Sequence, residues 1–457
     1  MSEVVERAFD AAEKSHWQIK TLGDVCRTSS GGTPSRSRPD FFNGNIPWVK
    51  SGELTDGLVS EVSEFISEEA LAGSSAKLLP AGTLLIAMYG ATVGKLGVLA
   101  RGAATNQAVC AIFPPPELDP KFLFWYLRRQ RSHLIAKAVG GAQPNISQTI
   151  LRDLELLIPP IGEQREIVAE IEKQFSRLDE AVANLQRVKA NLKRYKASVL
   201  KAAVEGRLVE TEASLAQREG RSYETGEQLL RRTIEARSGG GKARRGKADL
   251  AAMPCANVKE VPDGWVWTTT GQVCECIVPN RDKPKTFSGD IPWLTLPDFD
   301  DSEITVARSR SGLGFTESEV ALYRAKAIPA DSVVMSCVGR FGISAVLTKK
   351  AVINQQLHAF LPSEGVAPKY LAYVLRTREQ EMLEKSTATT IAYLNKENCN
   401  SISVPLPPLA EQTRIVAEVD RHLSIIREVE AEIDINHQRA QALRQATLAK
   451  FFSPAIY

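Results

Sequence analysis

Histidine and cysteine are sparse, at 5 and 7 of 457 residues. The histidines (His16, His133, His358, His422 and His437) are scattered, no CxxC occurs, and only Cys274 and Cys276 stand close together. Such spacings supply neither a zinc site nor a disulfide framework, so no metal and no histidine-based catalytic centre are expected. Long apolar runs are also missing. The most apolar stretch, Leu84 to Ala100, is broken by Gly90, Gly94, Lys95 and Gly97, well short of the roughly 18 residues a membrane helix needs. The amino-terminal stretch, with Glu3, Glu6 and Asp10 among apolar residues, lacks the basic and then apolar order of a signal peptide, and a cytoplasmic location is expected. An excess of one charge is lacking too: 57 Lys+Arg against 54 Asp+Glu leave +3, so any nucleic-acid-binding surface must be local. What remains is an ordinary globular composition, 43% hydrophobic and 24% charged, long enough for two or three domains of about 150 residues.

The chain is written twice, and a shift of 248 residues superimposes the halves. Trp17, Gly23, Val25 and Cys26 meet Trp265, Gly271, Val273 and Cys274, while Asn106 and Gln107 meet Asn354 and Gln355. The densest agreement sets Pro159, Pro160, Glu163, Gln164, Ile167 and Val168 against Pro407, Pro408, Glu411, Gln412, Ile415 and Val416. A second shift, of 245, pairs Ile46-Pro47-Trp48 with Ile291-Pro292-Trp293, and Gly94 and Gly97 with Gly339 and Gly342. Between these blocks the loops disagree: SGGTPSRSRPD at Ser30 to Asp40 faces PNRDKPKT at Pro279 to Thr286. One frame with two loop sets implies two distinct binding surfaces.

Within each half, short apolar runs bounded by Gly and Pro, such as Leu84 to Met88 and Val333 to Met335, read as buried strands. Asp119-Pro120 opens a helix with proline at its first position. After the double proline the period becomes seven. Ile171, Leu178, Leu185, Leu192 and Val199 form a seam, joined by Val188 and Tyr195, and the second copy has Val419, Ile426, Ile433, Ala440 and Thr447 with Val429 and Leu443 beside them. Glu163 to Ala203 makes a helix of about 60 Å at 1.5 Å per residue.

The expected fold is therefore α+β: two strand-rich domains joined by two long antiparallel coiled-coil helices in a pseudo-two-fold repeat. Antiparallel pairing lets the second domain begin near the end of the first helix, with the domains at opposite ends of a rod. The boundaries are 1–160 for the first domain, 161–204 for its helix, 205–259 for a flexible basic linker, 260–408 for the second domain and 409–452 for its helix. The linker holds Ser238-Gly239-Gly240-Gly241 and the basic run Lys242, Arg244, Arg245 and Lys247.

No catalytic motif survives scrutiny. Gly90 to Leu96 has three residues between its glycines and no Ser or Thr after Lys95, so it is a tight turn exposing a basic side chain and not a phosphate loop. No glycine-rich methyl-donor turn or Asn-Pro-Pro-aromatic element is present, and Asp298, Asp300 and Asp301 read as a local acidic turn. The basic loops differ in kind. Arg36, Arg38, Lys50, Tyr89, Thr92 and Lys95 in the first half, and Arg281, Lys283, Lys285 and Arg340 in the second, combine cations with small polar and aromatic neighbours suited to phosphates and base edges. A solvated surface is the competing reading for any one of them. Asn106-Gln107 could pair with adenine, but its recurrence in both halves favours shared scaffolding.

SGGTPSR (Ser30 to Arg36), NIPWVKSGEL (Asn45 to Leu54), MYGATVGK (Met88 to Lys95), ATNQA (Ala104 to Ala108) and IPPIGEQREIV (Ile158 to Val168) resemble the specificity subunit of type I restriction-modification enzymes; IPWL (Ile291 to Leu294) and LPPLAEQTRIV (Leu406 to Val416) are similar. The resemblance covers nearly the whole chain, and the second domain departs more from the pattern. It implies two target-recognition domains, each reading half of a bipartite asymmetric DNA site, with the paired helices as a ruler. It also implies two docked methyltransferase subunits, which use S-adenosylmethionine to modify adenine N6. Through them come restriction and translocase subunits that use ATP and magnesium in host defence. The chain itself would be non-catalytic and cofactor-free. A two-domain scaffold for proteins or other ligands is the competing function.

Overall fold

The structure is a computed structural model that describes residues 16–138, 145–239, 260–279, 284–300, 303–387 and 391–452. It divides into two compact units, Met1–Leu185 with Ile435–Tyr457, and Gln186–Asp434.

In the first unit β1 (Gln18–Thr21) is followed by β2 (Arg27–Ser30), β3 (Ile46–Val49), β4 (Gly57–Val59), β5 (Phe65–Ile66), β6 (Leu84–Ala87), β7 (Leu96–Leu99), β8 (Ala104–Thr105) and β9 (Val109–Phe113). Helix α1 (Pro120–Ala136), strand β10 (Glu155–Ile158) and the 44-residue α2 (Ile161–Val204) complete the repeat. One sheet runs β2-β9-β6-β7-β4, a smaller one β5-β3-β8, and β1 closes against β10. Strand β6 is apolar at every position because both of its faces are covered. Leu84 and Ile86 pack with Phe122, Leu123 and Leu127 of α1, whereas Leu85 and Ala87 pack with Val49, Leu54 and Leu99. Asp119 caps α1 by accepting from the backbone N–H groups of Lys121 and Phe122.

Two helices, α3 (Glu212–Glu219) and α4 (Gly226–Gly239), lead into the second unit. Its strands are β11 (Val266–Thr269), β12 (Cys274–Ile277), β13 (Ile291–Leu294), β14 (Thr305–Val306), β15 (Gly314–Phe315), β16 (Ala327–Ile328), β17 (Val333–Ser336), β18 (Ser344–Leu347), β19 (Ala351–Ile353) and β20 (Leu357–Pro362). Helix α5 (Pro368–Arg376), β21 (Ser403–Leu406) and the 44-residue α6 (Leu409–Phe452) follow. The sheet orders repeat those of the first unit, β12-β20-β17-β18-β14 and β15-β13-β19 with β16 added, and β11 closes against β21.

The long helices run antiparallel. In the first unit Gln174 and Asp179 of α2 meet Thr447 and Arg444 of α6, and in the second Lys189 meets Asp434 at 2.7 Å and Tyr195 meets His422 at 2.9 Å. The Glu-Gln pair at the start of each helix clasps its own repeat. Gln164 accepts from the Asp119 N–H (2.8 Å) and donates to the carbonyls of Glu117 (3.0 Å) and Pro159 (2.8 Å). Gln412 does the same with Ala367 (2.8 Å), Gly365 (3.0 Å) and Pro407 (3.0 Å). Glu163 and Glu411 each accept the indole N–H of the repeat's first tryptophan, Trp17 or Trp265, at 2.9 Å.

Three expectations change. The polar segment 205–259 reads as a flexible linker, yet its described part carries α3 and α4. Ala216 and Leu229 are buried there, and Glu212 is held by Arg221 and Arg414 at 2.6 Å each. The basic run from Lys242 to Lys247 and Gly240-Gly241 lie outside the described residues. Of the seam, Ile171, Val199, Val419, Ile426, Ile433, Ala440 and Thr447 are buried, while Leu178, Leu185 and Leu192 are half-buried. Leu443 is 52% exposed, and Val188, Tyr195 and Val429 are exposed as well. A step of three residues swings a side chain about 60° off the seam and a step of four only about 40°, which is why Phe175 and Leu423 are the buried companions. Finally, β6 and β7 correspond to β17 and β18, so Gly90 and Gly94 (φ 87° and 76°) match Gly339 and Gly342 (φ 73° and 75°). Gly97 lies in β7 instead, where an added Cβ would come within 2.7 Å of Leu54.

Candidate nucleic-acid interface

The loop after β2 lies flush on the smaller sheet of the first unit. A Cβ on Gly31 would fall 2.2 Å from the Asn106 carbonyl oxygen, and one on Gly32 2.1 Å from the Ala76 nitrogen, so this SGGTP segment needs glycine for close approach. Trp48 fastens it by donating its indole N–H to the Gly32 carbonyl (3.0 Å). The chain then delivers Arg36, whose guanidinium lies over the rings of Phe42 (4.2 Å) and Trp48 (5.3 Å). Arg38 lies over Phe41 (4.5 Å) and pairs with Asp40 (2.5 Å).

Glu64 draws the next cations together. It pairs with Arg36 at 2.7 Å and with Lys50 at 2.7 Å. Hydrogen bonding from Lys50 is the main cause holding the Glu64 carboxyl below its ordinary pKa, with Arg36 adding to it, against a burial that would raise it. The loop after β3 is tied down by Glu53, which accepts from the Lys50 N–H (2.8 Å) and from the Ser63 N–H (2.8 Å) and hydroxyl (2.7 Å). Thr92 joins the β6–β7 turn to this loop by donating to the Ser51 carbonyl (2.9 Å). Arg131 of α1 clamps the other side of the turn, donating to the Gly94 carbonyl (2.8 Å) and pairing with Asp56. Tyr89 opens the turn, bridged to Asn145, and Lys95 closes it half-buried. The loops bearing Arg36, Lys50, Thr92 and Lys95 are thus linked into one surface. Among the described residues Lys95 has no carboxylate partner, whereas Arg36, Arg38 and Lys50 are each neutralised by one.

The second unit carries a different set on the same frame. Lys285 is exposed, and Arg340 is exposed in the turn between Gly339 and Gly342, beside the buried Phe341. Arg281 and Lys283 lie outside the described residues. Around Trp293 there is an aromatic group: Phe287 at 5.9 Å, Phe315 at 5.6 Å, and Tyr323 at 6.3 Å from Phe315. Arg376 of α5 ties the β14 approach to the hairpin, donating to the carbonyls of Ser344 (2.9 Å), Asp300 (3.3 Å) and Glu303. Asn106 and Asn354 are turn formers: their N–H groups donate to Val49 (2.9 Å) and Leu294 (3.0 Å), and their carbonyls accept from Val109 (3.1 Å) and Leu357 (3.1 Å).

Asp298 is buried and accepts from Thr295 and Arg310 backbone N–H groups (2.6 Å each), so it closes a turn. Among the described residues no group of three or more His, Cys, Asp or Glu is placed to hold a metal, and no helix is long and apolar enough to cross a membrane.

Sequence spacing did not reveal Glu64, Glu53, Asp56 or Arg131. Apart from the local Lys50–Glu53 bond, their partners lie 10 to 75 residues away, and the fold brings them together. Glu64 faces Trp48 because β3 and β5 pair with Pro47 opposite Phe65.

Comparison with known proteins agrees with this duplication. The family model for the type I restriction modification DNA specificity domain matches twice, at residues 14–194 and 262–443. The EcoR124I/EcoR124II specificity subunit of Escherichia coli is 31% identical over 169 residues, covering 36% of this chain and 42% of that protein's length. The MjaVIII specificity subunit of Methanocaldococcus jannaschii is 19% identical over 424 residues, covering 92% of this chain and 89% of that protein. The fold is shared with a chain solved in work on complex assembly and conformational transition of the type I R-M system (TM-score 0.68, 19% identity, 96% of this chain and 98% of that one). It is shared also with the HsdS subunit from Thermoanaerobacter tengcongensis (TM-score 0.54, 19% identity, 97% and 98%). With two matched copies spanning most of its length, the chain belongs to the type I restriction modification DNA specificity family.

Proposed function

We propose that this chain is the non-catalytic, sequence-reading subunit of a type I restriction-modification complex in the cytoplasm. Domains 1–160 and 260–408 each read one half of a bipartite asymmetric site on double-stranded DNA. Helices 161–204 and 409–452 set the spacing and dock two methyltransferase subunits, through which restriction and translocase subunits join. S-adenosylmethionine serves the methyltransferase and ATP with magnesium the motor. Adenine must leave the stack to be methylated, and that work belongs to the partner. The observation that supports this reading is one frame bearing two unlike side-chain sets: Lys50 and Glu64 beside Trp48 stand where Thr295 and Leu313 do beside Trp293. The exposed apolar residues Val188, Ile425 and Val429 on the long helices suit a protein partner.

Exchanging residues 1–160 for the corresponding domain of a related protein should change one half of the methylated site and leave the other intact, as read by methylation-sensitive sequencing. Change in both halves, or in neither, would sink the modular reading. Methylation or cleavage by the purified chain alone would show that it is an enzyme in its own right.

A further inference from the structure

Glu64 is shared by two candidate contact cations, Arg36 and Lys50. Glu64 stands opposite Trp48 across the β3–β5 pair, its carbonyl accepting from the Trp48 N–H at 3.0 Å. One oxygen takes Lys50 and the other Arg36. Its side chain is only 28% exposed, whereas Arg36 is 56% exposed. The carboxylate is therefore better covered than the Arg36 guanidinium and about as covered as Lys50. Arg36 is held from two directions, by Glu64 on its edge and by Phe42 and Trp48 against its face, which removes most of the rotamer freedom of a long side chain before any ligand arrives.

The second unit shows that the fold does not require this device. Leu313 occupies the place of Glu64, accepting from the Trp293 N–H at 3.0 Å. Thr295 stands where Lys50 does and caps its turn with Asp298, as Lys50 does with Glu53. Phe287 packs near Trp293 at the place Phe42 takes beside Trp48. The same strand pair and turn form with Leu313 and Thr295 in place of Glu64 and Lys50, so this backbone frame does not depend on a carboxylate–lysine pair at these two stations.

We propose that Glu64 is a positioning residue for specificity, holding Arg36 and Lys50 preorganised toward the base edges and phosphates of the half-site read by the first unit. The inference rests on the DNA-reading function proposed above. A half-exposed guanidinium held against two rings is suited to the paired acceptors of guanine in the major groove. Coulomb's law alone argues the opposite sign, since a carboxylate near DNA repels phosphates and its removal should tighten binding to every sequence.

The test uses the whole chain assembled with its methyltransferase subunits and a randomised DNA duplex library, from which the bound site is read by sequencing. Affinities of Glu64→Gln, Glu64→Asp and the unsubstituted assembly are then compared on the selected duplex and on duplexes changed at single pairs in either half. The expected result is about a tenfold loss on the selected duplex with Glu64→Gln. Discrimination should be relaxed in one half only, kept in the other, and partly restored by Glu64→Asp. Uniformly tighter binding, unchanged discrimination, or equal losses in both halves would each overturn the role of Glu64. Failure of the unsubstituted assembly to select any sequence would overturn the DNA-reading function itself, and the two failures are thereby separable.

Discussion

Glu163 in the first unit and Glu411 in the second receive the same tryptophan indole at the same distance, yet their surroundings differ. Glu163 is 26% exposed and its second oxygen meets His16 at 3.0 Å. Glu411 is fully buried, its second oxygen takes the N–H of Glu212 at 2.8 Å, and burial raises its pKa. The glutamine beside each is fully buried and makes the same three bonds in both units. Where a side chain satisfies backbone groups at a helix start, both units use one solution. Where it faces what the chain lays over it, the units diverge, and the second has recruited α3 as an internal cover. The same division runs through the candidate interface: the asparagine turns coincide, while Lys50 and Glu64 of the first unit give way to Thr295 and Leu313 in the second.

The comparison can be broken most sharply in the helices. Ile426 is 2% exposed and its counterpart Leu178 is half-buried. Placing a charge at Ile426 (Ile426→Glu) should cost about 4 kcal/mol and Leu178→Glu about half as much, measured by denaturation, with loss of methyltransferase co-purification as a second readout. Equal costs would mean that the two seams are packed alike. For the clasp, Gln164→Ala and Gln412→Ala should each cost about 3 kcal/mol. Glu411→Ala should cost about the same, because it leaves two buried donors unpaired, while Glu163→Ala should cost about 1 kcal/mol. Hydrogen exchange resolved by unit would report these values, and a Glu163 effect as large as that of Glu411 would remove the distinction.

Acid should also separate the units. His358 is fully buried, packed by Tyr393 and Cys399, and burial depresses its pKa from 6.5 to about 4. Between those values the unfolded chain binds the proton and the folded one does not, so stability is full above about 6.5 and falls as pH drops toward 4. The loss is on the order of 3 kcal/mol in the second unit. The first unit carries Cys110 at this station on β9. His358→Cys should flatten the acid limb of a stability-against-pH series, and an unchanged slope would assign that limb to other groups.

The smallest effects concern contact cations. Lys95→Glu should weaken DNA binding about tenfold with a shallower salt dependence, while Arg38→Glu, already neutralised by Asp40, should lose less. Equal losses in a salt titration would mean that the Arg38 pair opens on the DNA.

Much of the fold was legible because it rests on local chemistry. The continuous apolar runs at Leu84 and Val333, the Asp119-Pro120 helix start and the seven-residue period each record a burial pattern in consecutive residues. The candidate interface was legible only as residue types. That Thr92 reaches Ser51 and Arg131 reaches Asp56 depends on register and on crossovers between distant strands. Helices α3 and α4 were hidden because a single buried face of Ala216, Leu229 and Thr233 leaves the composition polar. Leu443 was misplaced because a three-residue step resembles a seam in sequence and leaves it in space.

The sequence alone determined that there are two copies of one α+β unit, two long helices and two unlike loop sets, because repeats and periodicities are written in neighbouring residues. Tertiary structure decided which cations are free and which are neutralised, which seam positions are buried, and that one carboxylate on β5's approach holds two basic side chains of the first unit. The physical reason is that charge and burial are set by what stands opposite, and strand pairing chooses that partner from anywhere in the chain.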